Sequence, residues 1–136
     1  MSEHTTRATG TIEVAQWSPT AYDTLEDGPT LVRIDVVETF HGDIDGEGCA
    51  QLLQALHPDG SASFVGLERV TGTVAGRQGT FVLQDAGTLD ATGRVEGTWT
   101  VVAGSATGGL AGLRGRGGFT AALGEHATIH LDHWFE

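Results

Sequence analysis

The 136-residue chain contains no lysine; all seven of its basic residues are arginine. Without a lysine amine there is no Schiff-base catalysis, no pyridoxal phosphate attachment and no Walker-type phosphate loop. Cysteine occurs once, at Cys49, so no intramolecular disulfide can form. A thiol nucleophile would need a neighbouring base that the sequence does not identify, and Cys49 reads as a buried or incidental thiol. Basic charge is scarce: 7 basic against 18 acidic residues leave a net charge of −11, which repels phosphate backbones and anionic lipid surfaces alike. Neither nucleic acid nor membrane is expected as a partner. No apolar run approaches the roughly 20 residues that span a bilayer, and the first ten residues, "MSEHTTRATG", lack the layout of a signal peptide. The expected location is the cytoplasm.

Proline is also scarce, at 3, whereas the 21 glycines are spread through hydrophobic segments rather than gathered into a linker. The length fits one domain, residues 1–136, with residues 1–7 expected as a flexible tail. Alternation at period two runs through almost the whole chain, and helical periodicity is nearly absent. Strands are predicted near 8–17, 31–42, 47–57, 62–75, 78–89, 94–103, 113–123 and 127–135, separated by turn-prone stretches such as "EDGP", "HPDGS" and "DATG". "CAQLLQALH", 49–57, has a helical composition but strand length between turn signals, and is read as a strand. Eight sequential strands with hairpin connections predict an all-β fold, an eight-stranded antiparallel up-and-down barrel, because closure removes exposed edges; a β-sandwich is the alternative.

Strand parity then decides which side chains face inward. In "RVEGTWTVVA" the odd positions Val95, Gly97, Trp99 and Val101 are apolar or small, so Trp99 points in. A turn at 90–93 sets Gln84 opposite Trp99. A three-residue loop, Ala75-Gly76-Arg77, sets Glu68 opposite Gln84, whereas pairing Glu68 with Asp85 would oppose like charges. Glu68 is thus predicted inside and Arg69 outside. In the second strand Glu38 shares the apolar face of Val32, Ile34, Val36 and Phe40. A three-residue loop at 124–126 would pair Leu123 with Ala127 and Phe119 with Leu131, which puts His133 inside opposite Gly117. Glycines at 66, 72, 97, 115 and 117 on this inward face suggest a cavity, since an eight-stranded barrel can hold one small ligand where side chains leave room.

A glutamate buried beside Trp99 would have its charged form disfavoured, which moves its pKa toward a useful acid–base range. Glu68 and Gln84 are therefore the catalytic candidates, and Glu38, Trp99, Phe119 and His133 the ligand-binding ones. The plainer alternative is that Glu68 and Gln84 hydrogen-bond each other to lock the register, with His133 a satisfied core histidine. His126, His130 and Asp132 share a strand face, but positions two apart lie about 7 Å from one another and positions four apart about 13 Å, so no metal site is predicted. The "GLRGRGGF" run, 112–119, has no following helix and reads as tight barrel packing. No Gly-X-Ser-X-Gly element occurs, and no cofactor is expected.

The blocks "PDGSASFVGLERVTGTVAGRQGTFVLQ", 58–84, and "GTWTVVAGSATGGLAGLRGRGGF", 97–119, together with the terminal "LDHWFE", resemble the DUF3224 family of small bacterial proteins. That resemblance implies a barrel like that of allene oxide cyclases and homo-oligomeric assembly. Cyclase-type barrels bind an apolar unsaturated substrate and steer ring closure through shape, a held water and a carboxylate. The functional expectation is a barrel that takes a small apolar ligand inside, with isomerase or cyclase chemistry as its catalytic form. The alternatives are a non-catalytic lipocalin-like carrier or sensor, and a structural oligomer with a filled barrel.

Overall fold

A computed structural model describes residues 5–122 and 124–136. Nine strands follow in chain order: β1 (Thr6–Asp23), β2 (Thr30–Gly42), β3 (Ile44–Leu56), β4 (Ala62–Val74), β5 (Arg77–Leu89), β6 (Val95–Val101), β7 (Thr107–Gly108), β8 (Leu113–Ala121) and β9 (Ala127–Phe135). Each long strand pairs antiparallel with its sequence neighbour, β6 with β8 across β7, and β9 returns to β1, so eight strands close a barrel. The two-residue β7 pairs with Gly79 and Thr80 of β5, beyond the stretch that β6 covers. The predicted barrel is thus the observed one. No helix among the described residues is long and apolar enough to cross a membrane.

β3 shows why pattern overrides composition. Its side chains alternate, with Cys49 and Gln51 exposed and Ala50 and Leu52 buried, and both of its edges are fully laddered to β2 and β4. A helix would have left the edges of β2 and β4 unpaired. Cys49 is accordingly an exposed free thiol rather than a buried one. At the other boundary β1 begins at Thr6, so Thr6 and Arg7, expected in the tail, pair with His133 and Asp132 of β9. The Arg7 guanidinium clasps the Asp132 carboxylate through two bonds of 2.8 and 2.9 Å. Residues 1–4 of the expected tail lie outside the described residues.

Three turns differ from expectation, with different consequences. Between β4 and β5 the loop is two residues, Ala75 and Gly76, both at positive φ (49° and 85°), the conformation of a type I′ hairpin. Alanine is uncommon there, so the sequence does not announce the tighter turn. Glu68 consequently pairs with Leu83 instead of Gln84, and the odd residues of β5 face inward. Between β5 and β6 the loop is one residue longer than predicted, with Leu89 opposite Val95. The Asp90 carboxylate folds it by accepting from the Thr92 and Arg94 amides at 2.9 and 3.0 Å. The second shift reverses the first, which is why Trp99 still points in. Between β8 and β9 the slip is two residues, Phe119 facing Ile129 and His133 facing Gly115, and parity survives. The expected partner Leu123 lies outside the described residues.

The two ends of the barrel differ. Beside the Ala75–Gly76 turn, Ile44, Val74, Phe81, Leu110 and Leu113 are at most 1% exposed and pack the interior solid. Each such burial contributes roughly 1.5–3 kcal/mol. The opposite end, near Leu52, Phe64, Leu89 and Val95, holds a cavity of about 480 Å³. The filled-barrel alternative therefore describes only half of the interior.

Candidate functional site

An aromatic row borders the cavity, which Phe64, Trp99 and Phe119 line. Trp99 stands between Phe40, at 6.3 Å between ring centroids, and Phe119, at 5.0 Å; Phe64 follows at 6.2 Å from Phe119. The Trp99 indole N–H donates to the His130 carbonyl at 3.0 Å, which satisfies the buried donor and fixes the ring's tilt. Glycines make this row possible by lying under it. A methyl group at Gly97 would collide with the Phe119 ring, and one at Gly87 would come within 2.6 Å of the Phe64 ring. The expected link between inward glycines and the cavity is thus corrected: their space is taken by neighbouring rings, oxygens and backbone, and the open volume lies between side chains of the wall.

Three of the carboxyl groups that line the cavity come from adjacent parts of the barrel wall. Glu38 comes from β2, Glu68 from β4 and Asp85 from β5, and all three line the cavity. Glu68 is 2% exposed and Asp85 6%, the deepest acids among the described residues. The Glu68 carboxyl lies directly over Gly48, where any Cβ would overlap its Oε2, and Gly66 likewise leaves room for the Asp85 carboxyl. Burial pushes the Glu68 pKa well above the ordinary glutamate range, reinforced by its hydrogen bond to Glu38 and by the negative charges of Glu38 and Asp85. A carboxyl–carboxyl bond needs a shared proton, which favours the protonated form of Glu68. Burial, with the Glu38 charge added, raises Asp85 to about 6. Glu68 Oε2 and Asp85 Oδ1 have no hydrogen-bond partner.

Of the residues singled out in the sequence, Glu38, Glu68, Trp99 and Phe119 meet at the cavity. Gln84 does not. The β4–β5 turn sends it to the outer face, where it is exposed and pairs with Leu67 and Thr100, so it neither lines the cavity nor stands opposite Glu68. Asp85 takes the inward place that Gln84 was given. The signal for it was the larger apolar pair Phe81 and Leu83 on its own parity, against Val82 on that of Gln84. His133 is inward and buried, as expected, but lies away from the cavity, edge-on to Phe135 at 6.1 Å. Asp132 is held by Arg7, and among the described residues no group of three His, Cys, Asp or Glu could hold a metal ion.

A closed eight-stranded antiparallel barrel, packed at one end and hollow and acid-lined at the other, is the class of protein these observations define. Residues 8–133 match the family model described as "Protein of unknown function (DUF3224)", and the chain belongs to that family. The fold is similar to the crystal structure of a protein with unknown function from the DUF3224 family of Shewanella oneidensis MR-1. The two share 32% sequence identity with a TM-score of 0.81, over 98% of this chain and 99% of that one. No curated protein matches the chain.

Proposed function

We propose that the barrel binds a small, largely apolar molecule at its hollow end, with the acid cluster facing the ligand's polar group. The observation that carries this reading is the pairing of two unpartnered buried carboxyl oxygens with an apolar-walled cavity of about 480 Å³, within the range of small-molecule sites. In the catalytic form of the reading, an isomerase or cyclase, the protonated Glu68 gives a proton to the bound molecule or its carboxylate steadies positive charge. Asp85, in place of Gln84, tunes Glu68 through its charge, and Trp99 packs the substrate. In the carrier form, Glu68→Gln leaves binding of a neutral molecule largely intact and no turnover is seen. A neutral fluorophore such as N-phenyl-1-naphthylamine tests binding: the wild type should enhance and blue-shift its emission with micromolar affinity. Ala121→Trp, which fills the cavity from its wall, should abolish the signal. Equal binding by both proteins would exclude the barrel interior as the site.

Homo-oligomerisation belongs to the same proposal. Leu53, Val65 and Leu67 are each more than half exposed on the outer face of β3 and β4, with Leu53 directly opposite Val65. A second copy packed on this face would cover them. The exposed Cys49 thiol, which a reducing compartment keeps unpaired, supports a cytoplasmic location.

A further inference from the structure

The charged side chains around the cavity are all of one kind. Glu13, Glu38, Glu68, Asp85 and Glu125 line it, His126 stands among them, and no arginine does. A carboxylate ligand entering this space would add a negative charge beside the buried acids with no arginine among the described residues to receive it, a juxtaposition that costs free energy wherever water is excluded. A neutral hydroxyl ligand has a single O–H to donate and would leave one of Glu68 Oε2 and Asp85 Oδ1 without a donor. An ammonium group differs on both counts, because it brings positive charge and three N–H donors in one compact head. We infer that the ligand is a primary or secondary amine with an apolar body, its protonated nitrogen seated against Glu68 and Asp85 and its hydrocarbon part along Leu52, Phe64 and Trp99.

This inference rests on the proposed ligand binding and specifies its chemistry. Binding has a defined proton balance: the Glu68 carboxylic acid gives its proton to buffer as the ammonium arrives, leaving a carboxylate–ammonium pair in its place. The bond broken is the Glu68 O–H, the ligand keeps all its own protons, and wherever Glu68 is protonated in the free protein one proton is released per ligand.

Calorimetric titration of the intact protein with n-octylammonium, 1-octanol and octanoate tests it, because the three share one apolar body. The expected order is octylammonium at least about tenfold tighter than octanol, with octanoate undetectable, since a charge-assisted hydrogen bond is worth that ratio or more. The octylammonium heat should also vary with buffer ionisation enthalpy, as proton release demands. In Glu68→Gln, and independently in Asp85→Asn, the preference over octanol should shrink severalfold, while surface charge stays nearly as it was. Octanol binding as tightly as octylammonium in the wild type would overturn the inference and leave the cavity reading standing. Binding by none of the three would overturn both. An ammonium preference undiminished in both variants would assign it to the acidic surface and would equally overturn the inference.

Discussion

Glu68 and Asp85 lie next to opposite kinds of residue: charged Arg69 and exposed Gln84 point out, while the acids themselves point into the cavity. Burial raises both pKa values, so the folded protein binds more protons than the unfolded chain between the ordinary carboxyl range and the folded values. The stability these two groups contribute is therefore fully present below about pH 4, and it is lost as the pH rises through the folded values, about 6 for Asp85. Asp85→Asn should remove its share of that loss. Raising an aspartate to about 6 corresponds to roughly 3 kcal/mol, and water in the open cavity reduces the effect, so the variant should gain roughly 1–2 kcal/mol at pH 7. It should gain almost nothing at pH 4. Urea unfolding at the two pH values measures both numbers, and a pH-independent difference would place Asp85 in solvent.

The elements follow from side-chain alternation, whereas the register depends on turns. All eight long strands were legible because each repeats apolar and polar residues at period two, and their number and order called for closure. Glu38, Glu68, Trp99, Phe119 and His133 were placed inside correctly on the same signal. Gln84 was misplaced because a single loop residue decides parity, and Ala75 adopts a backbone conformation that alanine seldom marks. That His133 would lie away from the cavity was not legible either, since parity gives the face of a strand but not the height along it. The Ala75 conformation has its own consequence. Asparagine tolerates positive φ better, so Ala75→Asn should stabilise the protein by roughly 0.5–1 kcal/mol, read as a higher urea midpoint with an unchanged slope. A lower midpoint would mean that residue 75 is not in the left-handed region.

At the scale of the whole molecule, the long strands of the barrel are laddered to a neighbour on both sides over most of their length, while β1 beyond Ile12 pairs only with β2, and association through an outer face leaves the ladder intact. The half-exposed Leu53, Val65 and Leu67 offer one on β3 and β4. Sedimentation equilibrium should return a multiple of the chain mass for the wild type and the single-chain mass for Val65→Glu, with the fold intact by circular dichroism. Monomeric wild type would remove this face from the account. Closure also brings β2, β4 and β5 together around one hollow end, where Glu38, Glu68 and Asp85 line the wall with no arginine among the described residues beside them. Carbon-13 NMR of the side-chain carboxyl groups across a pH titration tests that arrangement most directly. The Glu68 resonance should titrate well above the ordinary glutamate range, and its midpoint should fall when Asp85 is replaced by asparagine. A Glu68 midpoint near 4, unmoved by that replacement, would show a solvated carboxylate and contradict the buried acid cluster.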